Sequence, residues 1–268
     1  MVANMKAERE KILSKARKLG ADIAGVARAE PLTEEGAIFH NPLEGARSVV
    51  VLGVRQSFAA LNSPVVQMAQ HDTSYAYAKV DGVAHALVRA LEDEDHHAVA
   101  VPAFLPIDMS DEIKGMRGEV DHRRAAVAAG LGVYGRNNLL LTERHGPRVR
   151  LASVVTTASL RPGRPLKKDL CADCGECAKA CPANALAKPG STDKRACGRT
   201  VFQYGLRGMM RFAREWVQSD DAAKSRLIMG RGVRELWQNF MTGMYYTCFV
   251  CQAVCPVGRP VKGRAHAN

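Results

Sequence analysis

Eight cysteines carry the chemistry most directly legible in this sequence. Cys171, Cys174, Cys177 and Cys181, followed by Pro182, are spaced C-x2-C-x2-C-x3-C-P. At this spacing three thiolates wrap a tight loop around one face of a four-iron cube, and the fourth, before proline, points to a different cube. That geometry calls for a second set of ligands. Cys248, Cys251 and Cys255, before Pro256, repeat the C-x2-C-x3-C-P ending without its first cysteine, and Cys197 is the one cysteine left over. The expected grouping is Cys171, Cys174, Cys177 and Cys255 on one cluster, and Cys197, Cys248, Cys251 and Cys181 on the other.

The crossing of Cys181 and Cys255 follows the logic of bacterial ferredoxins. Zinc knuckles would favour paired C-x2-C units, whereas here a third cysteine follows at i+6 and each motif closes in Cys-Pro. A disulfide framework belongs to small secreted domains; this chain has 268 residues and no signal-peptide pattern at its start. Cys197, standing alone, also reads as a small buried hydrophobe.

Composition and charge narrow the class. The chain is 47% hydrophobic and 24% charged, as a soluble globular protein is. No apolar run approaches the roughly 18 residues of a membrane span; with the thiol chemistry this predicts a cytoplasmic protein with no membrane partner. The net charge of +11 is uneven. Residues 166–268 hold 17 Lys and Arg against 8 Asp and Glu, while residues 1–165 hold 21 against 19. Two oxidised cubes of about −2 each would offset part of that excess. The remainder suits a basic surface for an acidic electron donor, a reading favoured over contact with nucleic acid.

The elements that must position these cysteines follow from periodicity. Ala3–Gly20 reads as a helix with Gly20 as its C-cap, and Ala21–Arg28 as a short strand. Arg47–Val54 is a continuous apolar run, which predicts a strand covered on both faces. Met68–Tyr77 is mixed, and Lys79–Asp95 is an amphipathic helix. The acid-rich Glu92–His97 stretch is read as a solvated loop in preference to a metal site. Ala98–Val101 is a strand, Asp108–Glu119 a polar mobile-looking stretch, and Asp121–Ala129 a helix. Gly130, Gly132 and Gly135 match G-x-G-x-x-G, but they follow a helix where a dinucleotide fingerprint must follow a strand, so that reading is rejected. Arg148–Thr157 is a strand and Arg161–Pro165 a linker. Phe202–Val217 and Arg231–Met244 look helical, with Trp216 and Trp237 expected to screen the clusters from water.

The block Ala129–Thr157, AGLGVYGRNNLLLTERHGPRVRLASVVTT, resembles one shared by epoxyqueuosine reductases and reductive dehalogenases, where it precedes a double cluster motif of this form. The stretches around Ala46–Leu52 and Tyr75–Leu91 are also similar, so the resemblance covers roughly residues 40–258. It implies an α/β (α+β) chain: a nitroreductase-like corrinoid and substrate domain over 1–165, then a ferredoxin-like domain with two 4Fe-4S clusters over 166–268. It further implies cobalamin held base-off near one cluster, electrons entering at an outer cluster, and reductive cleavage of a small or nucleoside-like substrate. The electron source would be a low-potential donor such as ferredoxin or flavodoxin.

Three departures bear on substrate. The chain stops soon after Cys255, without the C-terminal repeat region of many epoxyqueuosine reductases, which weakens a tRNA substrate. It has no twin-arginine leader of the respiratory dehalogenases. The acidic proton donor of the epoxyqueuosine reductases has no clean counterpart, although Asp108 or Asp111 would replace it. Rival readings are an electron-transfer protein or corrinoid reductase serving a partner protein, a minimal tRNA epoxyqueuosine reductase, and FMN in the nitroreductase-like cleft, the last less favoured than cobalamin. The oligomeric state is left open.

For the corrinoid, the candidate contacts are the backbone of Gly130 and Gly132, where absence of a Cβ permits close approach, with Arg136, Asn137, Asn138 and Arg148 as polar partners. The rival reading of this loop is a tight helix-to-strand turn capped by Asn. For proton delivery the candidates are Tyr75, Asp108 and His122, with Tyr77 beside them. His122, Arg123 and Arg124 open a helix, where cations oppose the dipole, a hint of an anionic ligand.

Overall fold

The computed structural model describes residues 2–29, 42–112, 118–188 and 190–259. The first half builds one antiparallel sheet in the order β1-β2-β6-β3. Helix α1 (Val2–Lys18) leads to β1 (Ile23–Arg28), β2 (Ser48–Arg55), the short α2 (Phe58–Leu61), the long α3 (Val66–Glu92), β3 (Ala98–Val101) and α4 (His122–Ala128). A two-stranded ribbon, β4 (Val133–Tyr134) and β5 (Leu140–Leu141), precedes β6 (Val149–Thr156).

Strand β2 is buried over Ser48–Val54, as its unbroken apolar run predicts. The pleat sends alternate residues to opposite faces. Val50, Leu52 and Val54 join Ile12 and Leu13 of α1 and Val80, Leu87 and Leu91 of α3 in one core. Val49 and Val51 join Ala125 and Ala126 of α4 in the other. Each such side chain contributes roughly 1.5–3 kcal/mol by leaving water, so helices on both faces fix the sheet's register.

Helix α3 begins well before the predicted Lys79. Its first half mixes small apolar contacts, Ala69 packing with Leu61 and Phe249, with buried polar ones: Thr73 Oγ1 accepts from Gln56 Nε2 at 2.7 Å, and Gln70 Nε2 donates to the Tyr246 carbonyl at 2.9 Å. These buried polar groups serve the cysteine-bearing half of the chain, which is why the sequence there looked mixed. Asp121 caps α4 by accepting from the backbone N–H groups of Arg123 and Arg124, as its position before an Ala-rich helix predicts.

The second half is helical. Short α5 (Glu176–Lys179) and α6 (Lys194–Val201) carry Cys177 and Cys197. Helices α7 (Leu206–Gln218), α8 (Asp221–Met229) and α9 (Arg231–Thr242) form an outlying layer, and α10 (Val250–Ala253) carries Cys251. Helix α8 was not expected. Trp237 is 64% exposed, so it does not screen a cluster; Trp216 packs on Phe212, 5.9 Å between ring centroids. Part of the polar stretch read over Asp108–Glu119 lies outside the described residues.

The two halves are stitched together. Gln252 Nε2 donates to the Pro147 carbonyl at 2.8 Å, and Arg148 Nη1 donates to the Gln252 carbonyl at 3.0 Å. Among the described residues no helix is long and apolar enough to cross a membrane.

Candidate functional site

The fold draws the cysteines into two neighbourhoods. Burial pushes the Cys177 thiol up, and its thiol neighbours Cys255 and Cys174 push the same way. Cys255 has Cys174 and Cys171 beside it. In the other group, burial raises Cys197, with Cys248 and Cys181 adding to it. Cys251 is pushed up to about 12 by burial, reinforced by Cys248, Cys197, Cys177 and Cys181. Helices α5 and α10 pack together, so Cys177 and Cys251 mark where the neighbourhoods meet.

Crowded neutral thiols of this kind resist ionisation because each thiolate would face others in a poorly solvated place; bound iron reverses that sign. Among the described residues no three His, Cys, Asp or Glu side chains converge on one ion position. A four-iron cube asks for no such convergence, since each thiolate binds a different corner.

The glycine loop turns out to organise these cysteines rather than to open onto a cofactor. A Cβ on Gly130, at φ +78°, would lie 2.2 Å from the Arg164 carbonyl oxygen, and one on Gly132 would lie 2.2 Å from that of Leu141. Protein backbone therefore already occupies the space that the missing Cβ atoms leave. Most of the neighbouring polar groups bond within the protein, although the buried Arg136 Nε has no partner. Arg136 donates its backbone N–H to Cys171 Sγ at 3.4 Å and its guanidinium to Asp173 at 2.7 Å. Asn137 Nδ2 donates to the Cys251 carbonyl at 3.2 Å, while its Oδ1 accepts from the Leu139 N–H. Asn138, at φ 56°, gives its carbonyl to Arg123 at 2.8 Å. Arg148, only 2% exposed, donates to the carbonyls of Gln252, Cys255 and Val257. The close corrin approach expected at Gly130 and Gly132 does not fit this geometry. Arg136, Asn137 and Arg148 grip the two cysteine loops, Arg136 the first and the other two the second.

The proton-donor candidates scatter. Tyr75 is 62% exposed. Asp108 is exposed and accepts from the Ser110 N–H at 2.7 Å, a local turn. The ring of His122 is spanned by Ser153 Oγ, 2.8 Å from Nδ1, and the Pro102 carbonyl, 3.0 Å from Nε2. A carbonyl only accepts, so Nε2 carries the proton and Nδ1 accepts from serine. Both nitrogens are used, and burial holds the ring below its ordinary pKa; it offers nothing to a substrate.

What the fold does assemble is an aromatic and polar array on the side of Cys248 and Cys251. Tyr77 and Tyr246 stack with centroids 6.2 Å apart and hydroxyls at 3.2 Å, and Phe104 leans on both. The Arg150 guanidinium lies 5.1 Å from the Tyr77 ring centre and 5.3 Å from that of Tyr246, and donates to Gln252 Oε1 at 3.3 Å. Its buried Nε has no partner, and burial raises the Tyr246 hydroxyl well above its usual pKa. Of the two neighbouring tyrosine candidates, Tyr77 joins this array and Tyr75 does not, because residues two apart on a helix face different ways. Arg150 and Tyr246 were missed; an arginine inside the apolar run of β6 was the available signal.

Comparison with known proteins accords with this geometry. A 4Fe-4S binding domain model matches residues 165–187. Tetrachloroethene reductive dehalogenase of Desulfitobacterium hafniense is 29% identical over 171 residues, 63% of this chain and 28% of that protein. Epoxyqueuosine reductase of Gloeobacter violaceus is 30% identical over 214 residues, 69% of this chain and 63% of that protein. The chain is a relative of the reductive dehalogenases and the epoxyqueuosine reductases. It spans less than a third of the dehalogenase's length and under two thirds of the epoxyqueuosine reductase's. The fold agrees: a reductive dehalogenase described as B12-dependent superposes with a TM-score of 0.59 at 20% identity, covering 88% of this chain and 38% of that one. An epoxyqueuosine reductase solved with a tRNA stem loop gives 0.56 at 19%, covering 94% and 65%.

Proposed function

We propose that this chain is an iron–sulfur reductase in which two four-iron clusters feed an acceptor bound beside Tyr77, Arg150 and Tyr246. Cys171, Cys174, Cys177 and Cys255 hold the cluster where electrons enter, because Cys174 is exposed. Cys181, Cys197, Cys248 and Cys251 hold the second, next to the array. The observation that supports this reading is that the thiol neighbours of Cys177, Cys255 and Cys197 all fall in the expected groups, as do three of the four beside Cys251.

The acceptor is a corrinoid. This rests on the relatives, one of which is described as B12-dependent, and on the unpartnered Arg150 Nε, which suits a polar or anionic group. It does not rest on the glycine loop, which does not fit. A corrinoid, when bound, supplies a metal-centred nucleophile for removing a leaving group. The chain's part is to position the acceptor by ring stacking and the Arg150 cation, and to hold a proton on the Tyr246 hydroxyl, whose raised pKa keeps it protonated at neutral pH. The substrate is a small or nucleoside-like molecule that loses oxygen or halide, and the electron donor is a low-potential ferredoxin or flavodoxin.

Anaerobic reconstitution with cob(II)alamin, followed by electron paramagnetic resonance, tests this. A stoichiometric base-off cobalt signal beside two reducible clusters is expected. Two clusters with only free, base-on cobalamin would replace the catalytic reading with that of an electron carrier for a partner protein.

A further inference from the structure

The segment leading from β6 toward the first cysteine was expected to be a plain linker. It is instead pinned. Arg161 donates its backbone N–H to the Met5 carbonyl at 3.3 Å and Gly163 to that of Val26 at 2.8 Å. A Cβ on Gly163 would lie 2.1 Å from the Ala129 carbonyl oxygen, and Gly130 makes the matching close approach to Arg164. The chain passes between β1 and the end of α4 with no room for a side chain at either contact.

Beside this fixed segment, against the first turns of α1, lies an open pocket of about 340 Å³ lined by Lys6, Arg9, Arg161, Pro162, Gly163 and Arg164. Four of the six residues are cationic and none is acidic. The side chains of Lys6, Arg161 and Arg164 make no hydrogen bond or ion pair among the described residues. Arg9 gives Nη1 to Glu10 at 2.5 Å but leaves its buried Nε without a partner. On the same helix Glu8 Oε1 lies 4.0 Å from Lys11 Nζ and, like Arg9 Nε, is buried without a hydrogen-bond partner. Like charges gathered this way repel, and an anion removes the repulsion.

We propose that Lys6, Arg9, Arg161 and Arg164 form a binding site for a phosphate-bearing small molecule, separate from the cysteine cradle. Guanidinium forks match phosphate oxygens in pairs, and a phosphomonoester carries about −1.5 to −2 at neutral pH. The pinned backbone pre-sets the positions from which Arg161 and Arg164 reach out, which lowers the ordering cost of binding. The four cations line a single open pocket, of a size that suits a compact phosphate.

Calorimetric titration of the cluster-loaded protein with pyrophosphate at low ionic strength tests this. Saturable one-to-one binding is expected, weakened about tenfold or more in the Arg161→Gln/Arg164→Gln variant, with cluster absorbance and thermal melting unchanged. If that variant fails to fold, Lys6→Gln, on the exposed side of α1, must weaken binding by itself. Absent binding, or equal affinity in the variants, overturns the proposal. So does a tRNA stem loop that binds more tightly than pyrophosphate and is lost with the same arginines, which would assign the site to RNA.

Discussion

Arg148 Nη1 donates to the carbonyl oxygen of Cys255 at 3.1 Å, so a residue at the entrance of the central strand β6 holds the last cysteine of the second motif. The same guanidinium satisfies the Gln252 and Val257 carbonyls. Burial lowers the Arg148 pKa, and Cys255 opposes that shift. Arg148→Met should strand the Gln252 and Val257 carbonyls at a cost of about 1–3 kcal/mol each, while Cys255 keeps the Arg259 Nε donor at 3.2 Å. We expect a melting temperature lower by more than about 5 °C, together with loss of the Cys255 cluster before the other. Thermal melting followed at the cluster absorbance distinguishes this from general unfolding.

The grouping of the cysteines predicts a pattern of paired losses. Cys171→Ser and Cys255→Ser should each remove the same half of the bound iron and leave the same residual paramagnetic signal. Cys181→Ser and Cys197→Ser should both leave the complementary one. Iron analysis with spin quantitation reads the result; if Cys181→Ser behaved like Cys171→Ser, the crossed arrangement would be wrong.

Gly132 tests the fold and not a cofactor. With the Leu141 carbonyl oxygen 2.2 Å from where a Cβ would sit, Gly132→Ala must push the β4–β5 ribbon apart. Destabilisation of about 1–3 kcal/mol is expected, measured by denaturant unfolding of the protein without added corrinoid.

His122 predicts an acid limit on stability. Its folded pKa lies below the ordinary 6.5 because of burial, with the Pro102 hydrogen bond and Asp121, Asp81 and Glu119 opposing the shift. As pH falls below 6.5 the unfolded chain takes up a proton that the folded ring refuses, so stability is lost with acidification through that window and is fully present above it. His122→Gln should be less stable at pH 7.5 yet flatter between pH 7 and 5. Unfolding curves across that range check the slope.

Tyr246→Phe keeps the ring stack and removes only the hydroxyl. It should leave both clusters reducible and slow substrate turnover about 10²-fold or more, as loss of a proton donor does. A variant with normal turnover would shift that role away from the array.

The sequence alone determined what is local and periodic. The cysteine spacings needed no tertiary information, because a cluster loop is built from neighbours in the chain. Strand β2 was legible because burial on both faces demands an unbroken apolar run. Tertiary structure decided which polar residues serve which site. Gly130 and Gly132 look alike as cofactor glycines or packing glycines until Arg164 and Leu141 are seen filling their space. Tyr75 and Tyr77 are equivalent in composition, and only the turn of α3 separates solvent from the array. The Arg150 contacts with Tyr77 and Tyr246 join residues 73 and 96 positions apart. No local pattern encodes such pairings, because they depend on how the two halves of the chain pack against each other.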